Sequence, residues 1–304
     1  MQVSRRQDAT TFPKPRGIPC TERRDNPVDN LGMNGLDDRS AGIPVAVEQN
    51  LITPESRSDA PERRRTARAQ PPRNDSAVGR GVAGFRGRCI VAALASFTPD
   101  IPVLSEESEG IPTEERLGWK RFWLVDPLDG TKEFIKKTGQ FTVNIALIEN
   151  GEPTLGVVLA PASDLEYFAT RGSGAFKRLG QAEPQPIKIA EADKAKLRIV
   201  ASRDHAGPKV AAMLEQLPDA ELVSMGSSLK FCLVAEGAAD LYPRFVPTME
   251  WDTGAAQCIL EEAGGAVCTL DGYRLAYGRE DLRNPSIIAA GHPTIDWKSL
   301  LPSD

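Results

Sequence analysis

One part of the chain alternates between apolar and polar positions with the two-residue period of β-strands. Residues 141–148 are rich in β-branched side chains, and an Asn-Gly turn at 150–151 leads into a second such segment at 154–160. A third segment follows at 166–169. The pattern predicts an antiparallel meander.

After residue 197 the pattern changes to short apolar segments that alternate with segments of helical period. Val210, Met213 and Leu217, for example, would share one helix face. This alternation predicts a layered α/β half behind the antiparallel half, so the expected fold class is α/β with α+β layering. The predicted strands are 199–202, 221–224, 239–242 and 266–269, and the predicted helices are 209–217, 228–236 and 252–263.

Residues 1–88 show neither period. They contain fifteen Arg, one Lys and nine Pro, and their net charge is +5, whereas residues 89–304 carry −10. Such a segment buries too little apolar surface to offset the entropy of ordering, so we predict a disordered extension or sequence translated out of frame. A basic arm for anionic partners is the alternative. Order is expected to begin at 89–97, as the last turns of an apolar-faced helix.

The composition excludes several classes of protein. A net charge of −5 over 304 residues gives no argument for nucleic-acid binding. The chain has no apolar run long enough to span a membrane and no apolar signal-peptide core. Five scattered cysteines without CxxC spacing are typical of reduced thiols in a cytoplasmic protein, and two histidines are too few for a histidine-based zinc site. Catalysis is therefore expected to depend on carboxylates.

The densest group of candidate ligands lies where a predicted buried strand, 122–125, meets the sequence Asp-Pro-Leu-Asp-Gly at 126–130. Proline and glycine are expected to end the strand, so the turn would hold Asp126, Asp129 and the Leu128 carbonyl toward one point. Converging oxygen ligands suit a hard cation such as Mg²⁺. A tight turn with solvated acids is the alternative.

Other acids also lie at chain breaks. Glu106 and Glu107 follow a short strand, and Asp252 begins a helix, where its simpler role is that of a helix cap. Carboxylates brought together repel one another, and their pKa values rise unless cations neutralise them. A pair or triad of Mg²⁺ ions would do so and would supply a Lewis acid for phosphoryl hydrolysis.

These segments resemble a known family. The sequences similar to the Mg²⁺-dependent, Li⁺-sensitive inositol monophosphatase superfamily are LSEE at 104–107, WLVDPLDGTKEF at 123–134 and WDTGAA at 251–256. Two others, GSSLKFC at 226–232 and LYPRF at 241–245, resemble its 3'(2'),5'-bisphosphate nucleotidase branch. The resemblance covers roughly residues 89–290.

The resemblance implies the αβαβα sandwich of sugar phosphatases for residues 89–304. Within it, 89–196 would form the antiparallel half and 197–304 the α/β half. Members of the family begin with two helices, which are expected to be missing or disordered here. Apolar faces near Val103 and at 143–147 would then be underprotected.

The resemblance also implies residue roles. The metal ligands, for two or three Mg²⁺ ions, would be Glu106, Asp126, the Leu128 carbonyl, Asp129 and Asp252. Gly130 and Thr131 would hold the scissile phosphate, and the Thr131 hydroxyl would orient the attacking water for direct in-line displacement. Glu106 and Asp126 would join Thr131 as catalytic residues. Lys230 and Arg244 would contact a second, 5'-phosphate, with ordinary surface charge as the alternative.

The implied reaction is removal of the 3'-phosphate of adenosine 3',5'-bisphosphate, with 3'-phosphoadenylyl sulphate as a second substrate, in sulphur metabolism. Two alternatives stay open: an inositol-phosphate or fructose-bisphosphate phosphatase, and an impaired remnant that only binds metal or nucleotide. In the family an upstream aspartate partners the threonine, yet no acid occurs here between Asp75 and Asp100. Weak catalysis is therefore expected.

The expected partner is a small phosphorylated nucleotide, with no nucleic acid and no transmembrane segment. A homodimer stays open as the oligomeric state. The expected location is the cytoplasm, either free or peripheral at the inner membrane.

Overall fold

A seven-stranded sheet forms one layer of the structure. The computed structural model describes residues 19–20, 75–108, 110–193, 196–201 and 207–301. The strands lie in chain order, and each neighbouring pair is antiparallel except β1 and β2, which are parallel. They are β1 Val103–Ser105, β2 Arg121–Asp129, β3 Thr142–Glu149, β4 Glu152–Ala160, β5 Leu165–Thr170, β6 Gly174–Leu179 and β7 Gln185–Ile187. The predicted antiparallel meander is confirmed, and β6 and β7 extend it.

A five-stranded sheet forms a second layer. Its strands are β8 Arg198–Ala201, β9 Glu221–Ser224, β10 Leu241–Arg244, β11 Ala266–Thr269 and β12 Ile287–Ala290, in the spatial order β11-β12-β10-β8-β9. β8 pairs in parallel with β9 and β10, whereas β12 pairs antiparallel with β10 and β11. The four predicted strands of this half are confirmed, although Ser202 lies outside the described residues. β12 was not predicted.

Helices cover both faces of each sheet. They are α1 Asp75–Phe97, α2 Thr113–Leu117, α3 Thr131–Ile135, α4 Pro208–Glu215, α5 Leu229–Ala235 and α6 Glu250–Glu262. α1 packs on β1 and β2, α6 packs on the other face of the first sheet, and α5 lies between α6 and the second sheet. On the far side of that sheet, Met213 of α4 packs with Ile199 and Ile288. The layers follow the expected αβαβα order.

Strand β2 is buried on both faces because helices cover it from two sides. Phe122 and Leu124 belong to the core that α6 completes, whereas Trp123 and Val125 pack with residues of α1. Successive side chains of a strand point to opposite faces, so all four are buried. Burial of each such side chain contributes roughly 1.5–3 kcal/mol, which holds the end of β2 in place.

Helix α1 corrects the prediction for the segment before residue 89. The helix begins at Asp75, so residues 75–88 are helical rather than disordered. Ile90 and Leu94 pack against Trp123, and with them α1 covers the face that was expected to be underprotected. The prediction for residues 1–74 concerns positions that, except for 19–20, lie outside the described residues.

The glycines of α1 explain why its sequence did not predict a helix. A Cβ atom at Gly79 would lie 2.8 Å from Cγ2 of Thr131, and one at Gly87 would lie 3.4 Å from Cβ of Glu107. Glycine lowers helix propensity by about 1 kcal/mol per residue, but here it allows the helix to approach the end of β2 closely. Tertiary packing therefore outweighs local propensity.

The prediction of five reduced cysteines is also corrected. Cys20 and Cys268 form a disulfide with a Cα–Cα distance of 6.0 Å. Pro19 forms a β-bridge with Tyr273, and the Cys20 amide donates to the Gly272 carbonyl at 2.9 Å. These contacts bring together two segments that lie 248 residues apart.

Among the described residues, no helix combines the length and the hydropathy that a membrane span requires.

Candidate active site

The sequence Asp-Pro-Leu-Asp forms a β-bulge at the end of β2. Asp126 lies opposite Asn144 on β3, and Asp129 lies opposite Thr142. The two residues between these acids, Pro127 and Leu128, therefore face one residue of β3, Val143. The strand therefore continues to Asp129, which corrects the prediction that it stops at Asp126. A bulge tolerates Pro127, which has no N–H to donate to the ladder.

Three carboxylates converge at this bulge. Asp126, Asp129 and Asp252 each offer an oxygen, and these atoms lie within 4.8 Å of one another. Asp252 stands in the first turn of α6, where its Oδ2 accepts a hydrogen bond from the Met249 amide at 2.8 Å. A carboxylate has two oxygens, so Asp252 can act as the predicted helix cap and also belong to the predicted cluster of acids.

Backbone amides orient each of these carboxylates in the same way. The Leu128 amide donates to Asp126 Oδ1 at 2.8 Å, and the Ser228 amide donates to Asp129 Oδ2 at 2.6 Å. With the bond to Asp252, one oxygen of each side chain is held by the protein. The second oxygen of each can then serve as a ligand.

Glu106 adjoins the cluster from the neighbouring strand. β1 runs parallel to β2, so both strands end at the same edge, and the Glu106 amide donates to the Val125 carbonyl at 3.0 Å. The Glu106 carboxyl hydrogen-bonds with that of Asp126, although it lies outside the group of three converging acids. Glu107, next to it, is exposed and packs against Gly87 of α1.

The acids of this site disfavour one another's ionisation. Burial first, and then the charge of Asp129, raises the pKa of Asp126 well above its usual range. The same two causes raise the pKa of Asp252 to about 7. Burial, with the charges of Glu107 and Asp129, raises the pKa of Glu106. A bound cation would reverse these shifts because it favours the ionised carboxylates.

The turn after the bulge carries the residues predicted to hold phosphate. Gly130 has a left-handed backbone (φ 86°) and precedes α3, which begins at Thr131. The Thr131 hydroxyl lies 3.5 Å from the Leu128 carbonyl oxygen, and Thr131 is exposed. The helix that packs over this turn is α1, which has no Asp or Glu after Asp75. Positions 76–97 of α1 therefore supply no carboxylate partner for Thr131.

Lys230 lies inside the protein rather than on its surface. Its exposure is 6%, and its Nζ donates to the Ser227 carbonyl at 2.6 Å and lies 5.4 Å from the ring centre of Tyr242. Burial lowers the Lys230 pKa to about 8, while the charge of Asp129 opposes that shift. The alternative of ordinary surface charge does not describe this residue.

Arg244 ends β10 beside a surface cavity of about 180 Å³. Tyr242, Phe245 and Val246 line the cavity with apolar surface, and Lys209 contributes a second cation. An apolar cleft flanked by cations suits an aromatic ligand with an anionic group.

The sequence analysis missed the polar residues behind Asp129. Thr142 donates to Asp129 Oδ2 at 3.2 Å, and Ser228 binds the same oxygen through both its amide and its hydroxyl. Asn144, which faces Asp126 across the ladder, donates to the Ser228 hydroxyl. Polar residues at buried positions of β3 were the available signal.

Comparison with known proteins agrees with this geometry. The sequence profile of the inositol monophosphatase family matches residues 87–300. The chain belongs to the inositol monophosphatase family. Mg²⁺ dependence and Li⁺ sensitivity are typical of this family. The matched range begins close to residue 88, where the composition changes, although α1 runs continuously through that position.

Relatives within the family carry more specific names. A 3'(2'),5'-bisphosphate nucleotidase CysQ of Salmonella typhimurium is 49% identical over 197 residues, which cover 64% of this chain and 78% of that protein. The CysQ of Haemophilus influenzae is 40% identical over 219 residues, 71% of this chain and 81% of that protein. A solved CysQ structure from Bacteroides thetaiotaomicron, a member of the same family, has a TM-score of 0.62 at 41% identity and covers 68% of this chain and 83% of its own.

Proposed function

We propose that this chain is a Mg²⁺-dependent phosphatase that removes the 3'-phosphate of adenosine 3',5'-bisphosphate. Its second substrate would be 3'-phosphoadenylyl sulphate, which gives the enzyme a place in sulphur metabolism. The observation that carries the proposal is the 49% identity to a 3'(2'),5'-bisphosphate nucleotidase. The convergence of Asp126, Asp129 and Asp252 supports it independently.

The proposed ligands would hold two or three Mg²⁺ ions. They are the carboxylates of Glu106, Asp126, Asp129 and Asp252, with the carbonyl of Leu128. This donor set consists of oxygen atoms, which is what Mg²⁺ prefers, and the raised pKa values of its acids are those of a group that lacks a counter-charge. When bound, Mg²⁺ supplies a Lewis acid and makes water a stronger nucleophile near neutral pH.

Gly130 and Thr131 are proposed to hold the scissile phosphate, with Thr131 orienting the water that attacks in line. Positions 76–97 of α1 offer Thr131 no carboxylate, so this part of the helix supplies no acceptor for the proton of that water. Loss of a general base typically costs about 10²–10⁴-fold in rate. Turnover is therefore expected to be slow for the family.

Arg244 is proposed to contact the 5'-phosphate at the mouth of the cavity. The buried position of Lys230 favours an electrostatic contribution over direct contact, since its ammonium already donates to Ser227. Two phosphates on one substrate would then explain why cations adjoin an acidic site.

A remnant that binds metal or nucleotide without turnover is the second candidate. α1 contacts Thr131 at Gly79 and has no Asp or Glu at positions 76–97, which favours this candidate. This candidate retains ligand-induced stabilisation but releases no phosphate.

A substrate panel separates these functions. Phosphate release is measured with Mg²⁺ from adenosine 3',5'-bisphosphate, 3'-phosphoadenylyl sulphate, inositol 1-phosphate and fructose 1,6-bisphosphate, with and without Li⁺. We expect slow, Li⁺-inhibited release from the two nucleotides, and none from the Asp126→Asn variant. Preference for inositol 1-phosphate would refute the proposed substrate, and stabilisation by nucleotide without any release would identify the remnant.

The remaining proposals concern context. The phosphatase domain would begin with α1 rather than at residue 89, so the atypical segment would be residues 1–74 and the halves of the domain would be 75–196 and 197–304. We place the protein in the cytoplasm, free or peripheral at the inner membrane, as a monomer or homodimer.

A further inference from the structure

The Oδ2 atom of Asp129 is saturated with hydrogen bonds. The Ser228 amide donates to it at 2.6 Å, the Ser228 hydroxyl at 2.8 Å and the Thr142 hydroxyl at 3.2 Å. A carboxylate oxygen with three donors has no lone pair left for a metal, so Oδ1 is the oxygen expected to bind it. Two of the three donors come from one residue.

Ser228 also contacts the other elements of the site. The Asn144 amide donates to its hydroxyl oxygen at 2.9 Å, and the hydroxyl lies 2.8 Å from the backbone carbonyl of Asp252. Ser228 and Asn144 are both nearly inaccessible, at 2% and 1% exposure. This side chain therefore joins the end of β2, strand β3 and the first turn of α6 inside the protein.

The turn that carries Ser228 is itself held in place. Ser227 has a left-handed backbone (φ 48°), which is costly for a residue other than glycine unless its surroundings maintain it. The Lys230 ammonium donates to the Ser227 carbonyl at 2.6 Å, which supports this conformation. The Ser227 hydroxyl is buried and has no hydrogen-bond partner among the described residues.

We propose that Ser228 is a positioning residue for metal binding, which fixes the Asp129 carboxylate and ties it to Asn144 and the Asp252 backbone. The hydroxyl proton is donated to Asp129 because a bond to a charged acceptor is stronger than one to a neutral carbonyl. Groups that orient metal ligands in this way typically contribute 10- to 100-fold to metal affinity. The proposal rests on the proposed metal-dependent function only for its kinetic measurement.

The test compares two adjacent buried serines. Ser228→Ala removes the bonds of the hydroxyl, whereas Ser227→Ala removes a hydroxyl that makes none among the described residues. Mn²⁺ binding to the full-length, substrate-free protein is titrated by electron paramagnetic resonance. We expect 10- to 100-fold weaker binding in Ser228→Ala and binding within threefold of wild type in Ser227→Ala. Equal affinity in the two variants would overturn the proposal.

Activity provides a second readout. For Ser228→Ala, the Mg²⁺ concentration at half-maximal activity should rise with the Mn²⁺ dissociation constant, while kcat at saturating Mg²⁺ stays within a few-fold of wild type. A loss confined to kcat, with unchanged metal dependence, would contradict a positioning role. If the wild-type protein binds Mn²⁺ but releases no phosphate, the proposed function fails while the binding comparison still decides the role of Ser228.

A further variant covers the case in which Ser228→Ala does not fold. Thr142→Val removes one of the same three donors without touching the turn, and it nearly preserves side-chain shape. We expect Mn²⁺ binding several-fold weaker than wild type, with an unchanged circular dichroism spectrum. Unchanged affinity in this variant would equally overturn the proposal.

Discussion

Removal of divalent metal should destabilise this protein more at pH 8 than at pH 5, because the acids of the site resist ionisation when no cation is present. The Asp252 pKa is raised from an ordinary value of 3.8 to about 7, chiefly by burial. Below pH 4 the carboxyl is protonated in both folded and unfolded chains and contributes no difference. As the pH rises toward 7, the unfolded chain releases the proton while the folded chain retains it, so stability falls.

The expected loss follows from that difference. A carboxyl whose pKa rises from 3.8 to about 7 on folding costs on the order of 4 kcal/mol of stability across this range. Asp126 and Glu106 have raised pKa values and act in the same direction. About 3 kcal/mol of this loss falls between pH 5 and pH 8, because the difference in protonation ends near pH 7. For a domain of this size, 3 kcal/mol corresponds to roughly 8 °C in the unfolding temperature.

The assay is thermal unfolding of the full-length protein in EDTA and in Mg²⁺, at several values between pH 5 and pH 8. Asp252→Asn is the control, because its amide oxygen can still accept the Met249 N–H bond but the side chain does not titrate. We expect the metal-free wild type to lose stability toward pH 8, and the variant to lose less. Rising stability of the metal-free wild type over this range, or an equally steep loss in Asp252→Asn, would refute the reasoning.

Three other predictions test separate parts of the account. Leu94→Ala should lower the free energy of unfolding by about 3 kcal/mol in urea titrations, because Leu94 of α1 packs against Trp123 of the sheet with 1% exposure. A change below 0.5 kcal/mol, on the scale of an exposed site, would show that α1 does not cover the sheet. Thr131→Val should reduce kcat less than tenfold, since positions 76–97 of α1 offer its hydroxyl no carboxylate, and a loss above 10²-fold would reveal an acceptor elsewhere. Arg244→Ala should raise KM for adenosine 3',5'-bisphosphate by at least tenfold while changing that for 3'-AMP little; equal effects on both would exclude a 5'-phosphate contact.

Much of the fold was predictable because its strands follow simple patterns. The alternation at 141–148 and 154–160 survives in β3 and β4, since one side of each strand packs on α6. Helix α6 was predicted from its apolar period and its closing glycines. β12 was missed, although it is fully buried between β10 and β11 and follows the turn residues Asn284 and Pro285, because four consecutive apolar residues show neither a strand nor a helix period.

The errors have a common physical cause, which is dependence on distant parts of the chain. The glycines lower the helix propensity of α1, but Gly79 leaves the space that allows α1 to contact Thr131. The disulfide requires Cys20 and Cys268 to be neighbours in space, which spacing in the sequence does not reveal.

The carboxylates of the candidate site were predicted from the sequence, whereas the residues that hydrogen-bond to them were not. Asp126, Asp129 and Asp252 were chosen for their residue type at chain breaks, and the structure brings them together. Ser228 was not chosen, because a serine that precedes a helix is ordinarily interpreted as a cap. Its contact with Asp129 spans 99 residues, and only the folded chain brings the two together.

Product analysis tests the central claim most directly. Adenosine 3',5'-bisphosphate is incubated with the protein and Mg²⁺, and the products are identified by phosphorus nuclear magnetic resonance. The account predicts 5'-AMP and inorganic phosphate in equal amounts, with no product in EDTA or with Asp126→Asn. Formation of 3'-AMP, or an undiminished yield from Asp126→Asn, would contradict it.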